Sequence, residues 1–148
     1  MLNSQGNACV TGSTRSVSEL AASPNATGVG GTQYSPTWNG SGNDAGSVPE
    51  SVWDDSIGAS GGGASAVFSK PVYQNGPGVR ADGLRDVPDI AMIASPDDPG
   101  VFVGDDSGGT AVIDCCWGGT SLSAPIWAGI SKLLSQQAGA RVGNMIPG

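Results

Sequence analysis

The spacing of apolar residues near the C-terminal end of the chain predicts one long helix. The apolar positions recur at the three- and four-residue intervals of a helix: Leu122, Ile126, Ile130, Leu133 and Leu134. Pro125 is compatible with this helix because it falls in the first turn, where its missing N–H has no partner to lose. Gly139 is a suitable C-terminal stop. We therefore predict a buried helix over residues 121–137.

Upstream of this helix the apolar runs are short and are separated by stretches rich in Gly, Asn, Pro and Ser, the pattern of strands and turns. The predicted segments are a short helix at 17–22, strands at 26–32, 87–94 (buried) and 101–103, an ordered segment at 50–56, and an extended or short helical piece at 65–73. Residues 111–115 are predicted to pair with 101–103 as a hairpin. A glycine loop is predicted at 60–65 and a turn at 95–100. Short strands with at least one long helix indicate an α/β fold, and 148 residues indicate one domain.

Charged residues are few, and most of them are acidic. The chain has six Lys and Arg, 13 Asp and Glu and no histidine, which gives a formal net charge of −7. Without a basic patch, neither nucleic acid nor an anionic membrane is expected as a partner. A protein with few ion pairs suits an acidic medium, because carboxylates lose their charge there. No run is long enough to span a membrane, and no signal peptide opens the chain.

The three cysteines leave several arrangements open. Cys9, Cys115 and Cys116 lack Cys-x-x-Cys spacing and no histidine accompanies them, so a zinc site is not expected. The two adjacent cysteines can close a small disulfide ring, or one of them can pair with Cys9. Free buried thiols are the third arrangement.

The segment with the clearest chemical signal is residues 118–125, Gly-Gly-Thr-Ser-Leu-Ser-Ala-Pro. The glycines permit a sharp turn and a close approach of a substrate. Ser121 then lies at a helix N-terminus, where free amides and the positive end of the helix dipole favour a developing oxyanion. Ser121 is therefore a candidate nucleophile. The structural alternative is that Ser121 is the N-cap of the helix.

This segment and the apolar Ala-Gly helix after it resemble the nucleophile helix of the subtilisin-like peptidases. Other blocks distinguish the relatives. Residues 29–32 resemble the V-G-G-T strand end of the sedolisins, residues 50–54 their E-x-x-W-N block, residues 60–74 their S-G-G-G-F-S and F-x-x-P-x-Y-Q blocks, and residues 85–90 their R-x-x-P-D-V segment. Because these blocks occur in family order over residues 21–147, the chain is identified as a member of the sedolisin family. Subtilisins proper are disfavoured, since the glycine-loop and Tyr-Gln blocks have no place in them.

The resemblance implies a subtilisin-like parallel sheet flanked by helices and a secreted serine-carboxyl endopeptidase that acts on polypeptides in acid. A histidine base fails in acid because imidazole is already protonated there, whereas a carboxylate can still accept the proton. By resemblance, the machinery is a Glu base, an Asp four residues away on the same helix, the serine, and a protonated Asp in the oxyanion hole.

Only Ser121 of this chain matches a catalytic position of the family. Glu50 and Asp54 have the four-residue spacing, but they belong to the E-x-x-W-N block, which is not the catalytic helix, and Glu19 has Ser23 four residues on. The family's oxyanion aspartate lies in an S-G-D-x-G segment. The corresponding residues 2–9 contain no aspartate.

Residues 1–148 are therefore expected to be the C-terminal part of a catalytic domain, without the Glu/Asp helix and without the family's calcium loop, which would lie beyond residue 148. No cofactor is expected in this chain, and the remaining half of its own domain is a further expected partner. The isolated chain is expected to be inactive. The alternative function is a non-catalytic remnant that binds peptides or a partner chain.

The other notable residues have structural interpretations. Arg85 and Asp89 are expected to form hydrogen bonds around a buried strand. Three tryptophans are expected to pack rather than to bind substrate: Trp53, Trp117 and Trp127. The acidic pairs near turns are interpreted as solvated turn residues rather than cation ligands: Asp97 with Asp98, and Asp105 with Asp106.

Overall fold

The computed structural model describes residues 10–11, 14–15, 17–37, 39–41, 43, 46, 49–97 and 99–143. Cys9, Asp98 and the segment 2–9 lie outside these residues. The described elements, in chain order, are β1 (Val10–Thr11), β2 (Thr14–Arg15), α1 (Glu19–Ala22), β3 (Val29–Tyr34), β4 (Glu50–Val52), β5 (Gly63–Ser69), β6 (Leu84–Val87), β7 (Ile90–Ile93), β8 (Val101–Asp105), β9 (Val112–Trp117) and α2 (Thr120–Ala138).

A three-stranded mixed sheet supports the C-terminal helix. Its strand order is β4-β3-β7. Strands β3 and β7 run parallel, with Val29 opposite Ile90, while β4 pairs with β3 in the antiparallel direction. Helix α2 packs on β3 and β7. The α/β class is thus confirmed, but β3–β7 is the one parallel pair among the described strands, so the predicted parallel sheet is represented here by that pair.

Three two-stranded antiparallel units complete the described strands: β1–β2, β5–β6 and β8–β9. The hairpin β8–β9 confirms the predicted pairing of 101–103 with 111–115. Strand β5 begins inside the predicted glycine loop and continues as extended chain to Ser69, which decides between the extended and helical alternatives there. The strand predicted at 87–94 is shorter in the structure, where β7 covers Ile90–Ile93 and only Val87 of the predicted segment belongs to the preceding strand β6. Pro88 lies between the two strands and cannot donate a ladder hydrogen bond. No residue of β7 is fully buried, so the predicted burial of this strand was wrong.

The predicted C-terminal helix is confirmed, including its end. Helix α2 runs from Thr120 to Ala138, and Gly139 caps it in the left-handed conformation with φ of 63°, donating its amide hydrogen to the Gln136 carbonyl. Burial of this helix was predicted wrongly. Leu122, Ile126 and Ile130 are half-buried, and Leu133 and Leu134 are exposed. The fully buried residues of the helix are Thr120 and Ser123.

A close crossing of backbone and side chains joins the sheet to the start of α2. There is no room for a side chain at Gly31 of β3, since an added Cβ would lie 2.5 Å from the Cβ of Ala94, 3.1 Å from Thr120 Cγ2 and 3.2 Å from the Trp53 ring. Trp53 is buried there, as expected for a packing residue. The second glycine of the Val-Gly-Gly-Thr strand is therefore required by packing.

Candidate functional site

The glycine pair fixes where α2 begins. Gly119 adopts a φ of 89°, which favours glycine, and donates its amide hydrogen to the Ala94 carbonyl over 2.5 Å. Gly118 lies against the same segment, since an added Cβ would be 2.6 Å from the Ala94 carbonyl oxygen and 2.6 Å from the Pro96 nitrogen. The chain therefore enters α2 in close contact with the turn that follows β7.

Ser121 is the second residue of α2 and is exposed to solvent. The N-cap is Gly119, so the alternative in which Ser121 caps the helix is wrong. Among the described residues, none forms a hydrogen bond with the Ser121 hydroxyl or accepts the amide hydrogens of Thr120 and Ser121. Such free first-turn amides are the donors that a helix N-terminus offers to negative charge.

Helix α2 is fastened to β7 by two side chains on one face. The buried hydroxyl of Ser123 lies 2.8 Å from the Ile93 carbonyl oxygen and 3.1 Å from that of Met92, and donates to this pair. One turn later, Trp127 donates its indole N–H to the Ala91 carbonyl over 3.2 Å. The packing role expected for Trp127 is thus present. These bonds hold the first two turns of α2, and Ser121 with them, in one position relative to the sheet.

The anchoring role of Ser123 was missed in the sequence. The available signal was the four-residue interval between Ser123 and Trp127, which places two hydrogen-bond donors on one helix face. The sequence also offered no reason to single out Thr32, whose hydroxyl is buried within β3.

The acidic pair Glu50 and Asp54 is not placed on a helix. Glu50 belongs to strand β4, opposite Tyr34, and Asp54 forms an isolated bridge with Ala59. The same-face geometry of a helical four-residue spacing is therefore absent from this pair, as expected. Glu19 is exposed at the start of the four-residue helix α1.

Asp55 carries out a structural role beside Trp53. Its carboxylate accepts hydrogen bonds from the Trp53 indole and the Ser95 hydroxyl, both at 2.7 Å, and from the amides of Ile57 and Gly58. Burial raises the pKa of Asp55, but the hydrogen bonds from these groups outweigh burial, so the pKa lies below its ordinary value. A carboxylate held ionised by four donors is a poor proton carrier at neutral or mildly acid pH.

Arg85 and Asp89 form the expected structural pair. Their side chains are 0% and 1% exposed, and both guanidinium nitrogens of the fork lie 2.5 Å from the Asp89 oxygens. Asp89 also accepts the Gly28 amide hydrogen over 2.7 Å, which connects β6 to the start of β3. Burial is the largest single effect on the pKa of Arg85 and lowers it, but the hydrogen bond and charge of Asp89, together with Tyr73 and Asp86, outweigh burial, so the net shift is upward. The pair fixes the sheet rather than a substrate.

Cys115 and Cys116 are joined by a disulfide on the exposed strand β9. Of the three arrangements left open by the sequence, the ring between adjacent residues is therefore the one formed. Trp117, at the end of the same strand, is 52% exposed, so its expected packing role is not met, and its indole donates to Asp114.

The described residues contain no group of three or more His, Cys, Asp or Glu side chains arranged to hold a metal ion. Asp105 instead accepts hydrogen bonds from the amide and hydroxyl of Ser107, as a turn residue does, and chiefly the amide bond lowers its pKa. No helix in the described part of the chain is both long and apolar enough to cross a membrane.

Two cavities border the described elements. One, of about 400 Å³, lies beside Gln74, Arg80 and Asp86 and includes no residue of α2. The other, of about 250 Å³, lies between the beginning of β3 and helix α2, next to Val29 and Trp127. Ser121 lines neither of them.

Comparison with known proteins supports the family resemblance. No protein-family model matches the sequence. Kumamolisin from Bacillus sp. (strain MN-32) is 35% identical over 136 residues, which cover 86% of this chain and 22% of kumamolisin. Pseudomonas sedolisin, a serine-carboxyl proteinase solved in complex with two molecules of pseudo-iodotyrostatin, superposes with a TM-score of 0.66 at 33% identity.

The match to Pseudomonas sedolisin covers 93% of this chain and 36% of that chain. The present chain thus spans between a fifth and about a third of the relatives that it matches, whereas the match extends over most of its own length. Both relatives are sedolisin-type peptidases, and each match covers more than four fifths of this chain. The chain belongs to the sedolisin family.

Proposed function

We propose that this chain is the nucleophile-bearing part of an acid-acting serine-carboxyl endopeptidase, with Ser121 as the nucleophile. Its hydroxyl oxygen attacks a peptide carbonyl to form an acyl-enzyme, which water then hydrolyses. The observation that carries this proposal is the exposed Ser121 at the second position of a helix anchored to β7, beside amides that have no acceptor among the described residues. Those amides are suited to an oxyanion.

The proton of Ser121 needs a base, and the described acidic residues do not supply one. Glu50 and Asp54 lie in extended chain, and Asp55 is committed to four hydrogen-bond donors. By family resemblance, the Glu base, its Asp and the protonated oxyanion Asp come from elsewhere in a complete domain. We therefore expect the isolated 148 residues to lack peptidase activity.

The remaining part of its own domain is the partner that best fits helix α2. The apolar stripe of α2, defined by Leu122, Ile126, Ile130 and Leu133, is turned about a quarter turn away from the face that Ser123 and Trp127 press against β7. A stripe so placed requires a second layer to cover it. The subtilisin-like parallel sheet would be completed by the same added part, continuing from the β3–β7 pair.

The compartment proposed for this peptidase is extracellular and acidic. A disulfide between Cys115 and Cys116 suits an oxidising compartment. The small number of charged residues suits acid, and the net charge of −7 makes nucleic acid and anionic membranes unsuitable partners. The substrate is accordingly a polypeptide. The family's calcium site is assigned to residues outside this chain.

A chimaera tests the proposal. The stretch of kumamolisin that matches this chain is replaced by the present sequence, and cleavage of a denatured protein substrate is measured in acid. The expected result is acid peptidase activity that falls by at least about 10³-fold in Ser121→Ala. The isolated chain is assayed in parallel and should be inactive.

Circular dichroism and thermal unfolding establish that each chimaera is folded. A folded chimaera without activity, or one whose activity survives Ser121→Ala, contradicts the nucleophile assignment. A folded chimaera that binds the peptide substrate without cleaving it supports the non-catalytic remnant instead.

A further inference from the structure

The Cys115–Cys116 disulfide lies at an irregularity of the hairpin β8–β9. Val101 pairs with Trp117 and Val103 with Asp114, so strand β9 holds one more residue than β8 between these two pairs. The two residues of β9 that lie between these pairs, and so form the bulge, are the two cysteines. The disulfide ring is therefore part of the backbone feature that sets the register of Trp117, four residues before Ser121.

The segment that follows β7 contacts both the disulfide and the glycine pair. No side chain fits at Gly100, because the Cβ of Cys116 and the carbonyl of Pro96 occupy its place. Pro96 in turn packs on Gly118, and Ala94 accepts the amide hydrogen of Gly119. Cys116 is thus connected to the entrance of α2 both along the chain, since Gly118 is two residues later, and through the contacts of Gly100 and Pro96.

We propose that the Cys115–Cys116 disulfide is a redox-modification site that dithiol reductants open. While the disulfide is closed, it holds residues 117–121 in their observed conformation, and we call this restraint the latch. All six residues of β9 are exposed, so a reductant reaches the sulfurs without unfolding of the core. The latch concerns the conformation of residues 117–121 and does not depend on Ser121 acting as a nucleophile. Its test is therefore independent of the peptidase proposal.

The chemistry is thiol–disulfide exchange. One thiolate of the dithiol attacks one cysteine sulfur and breaks the Cys115–Cys116 bond, forming a mixed disulfide. The second thiolate of the reagent then displaces that sulfur and closes the reagent into a cyclic disulfide. The protein disulfide gains two electrons and two protons and becomes two thiols, while the reagent is oxidised. The freed cysteines no longer constrain the bulge.

The experiment uses the 148-residue chain with Cys9→Ser, so that the adjacent pair supplies the only thiols. Untreated and dithiothreitol-treated samples are alkylated and weighed by mass spectrometry. Hydrogen exchange is then followed in peptides covering residues 112–123 and, as an internal reference, 29–34. Reduction is expected to add two alkylatable thiols. Loss of the Gly119 hydrogen bond should accelerate exchange there by about three- to tenfold relative to the reference.

The control is Cys9→Ser with Cys115→Ser and Cys116→Ser. It should exchange at the reduced rate and should not respond to dithiothreitol. Two alkylatable thiols in the untreated protein would show that the disulfide is absent and would overturn the proposal. A relative exchange rate that is equal in the oxidised and reduced protein, whatever the absolute rates, would overturn the latch.

Discussion

Replacing Ser123 by alanine should destabilise the chain, whereas replacing Ser121, two residues earlier on the same helix, should not. The Ser123 hydroxyl is fully buried and donates to the carbonyl oxygens of Met92 and Ile93. Its loss removes one hydrogen bond and leaves a carbonyl of β7 poorly solvated, at a cost of about 1–2 kcal/mol. Ser121 is exposed and has no described partner, so Ser121→Ala should change stability by less than about 0.5 kcal/mol.

The assay is urea-induced unfolding of the three proteins, followed by far-ultraviolet circular dichroism. The midpoint should fall in Ser123→Ala with an unchanged dependence on urea concentration, because the same surface is exposed on unfolding. In the kumamolisin chimaera the ranking should reverse, with Ser121→Ala abolishing activity and Ser123→Ala reducing it only as far as stability falls. Equal loss of stability in both variants would refute the assignment of one serine to anchoring and the other to chemistry.

Further predictions follow from packing and charge. Gly31→Ala should lower the free energy of unfolding by about 1–3 kcal/mol, because there is no room for the added Cβ. Gly129→Ala should instead raise it, by at most about 1 kcal/mol, because Gly129 lies in a helix interior with open space around it. The urea midpoints of the two variants and the parent chain measure both effects. Arg85→Ala should cost about 3 kcal/mol or more in the same titration by leaving the Asp89 carboxylate buried without its cation; a smaller loss would show that the site is hydrated. Asp55 has a lowered pKa, so its stabilising contribution is complete above the ordinary value of 3.8 and is lost as pH falls through the lower folded value; the midpoint deficit of Asp55→Asn should accordingly shrink over that range, and a deficit independent of pH would contradict this.

The features that the sequence predicted well are governed by local signals. Gly139 ends α2 because only a residue free of a Cβ readily adopts the left-handed cap, and that requirement is visible in one letter. The hairpin of β8 and β9 follows from two apolar runs around a turn. The place of Ser121 at the start of α2 follows from the glycine pair before it and the helical spacing after it, which the structure reproduces.

The features that were missed depend on distant residues. Strand β3 pairs in parallel with β7 on one side and antiparallel with β4 on the other, and both pairings join segments more than 15 residues apart in the chain, which periodicity does not record. Ser123 was read as part of a motif, although its role is set by the carbonyls of β7. The misplaced start of the strand predicted at 87–94 is different, because a proline near the start of a predicted strand is itself a signal and predicts that the strand begins after Pro88.

The burial of α2 is the most informative disagreement. Hydrophobic periodicity identifies the apolar side of a helix. That side becomes buried only where another helix or sheet packs on it. In the described structure the sheet covers the side that carries Thr120, Ser123 and Trp127, while the apolar stripe is turned about a quarter turn from that side and is only partly covered. The buried apolar residues of the described chain are Ala21, Ala22, Trp53, Val87 and Ala94. Because three of these are alanines while Leu133 is 66% exposed, the apolar residues of this sequence are matched to a larger core than the described elements form, in keeping with a chain that spans only part of its relatives.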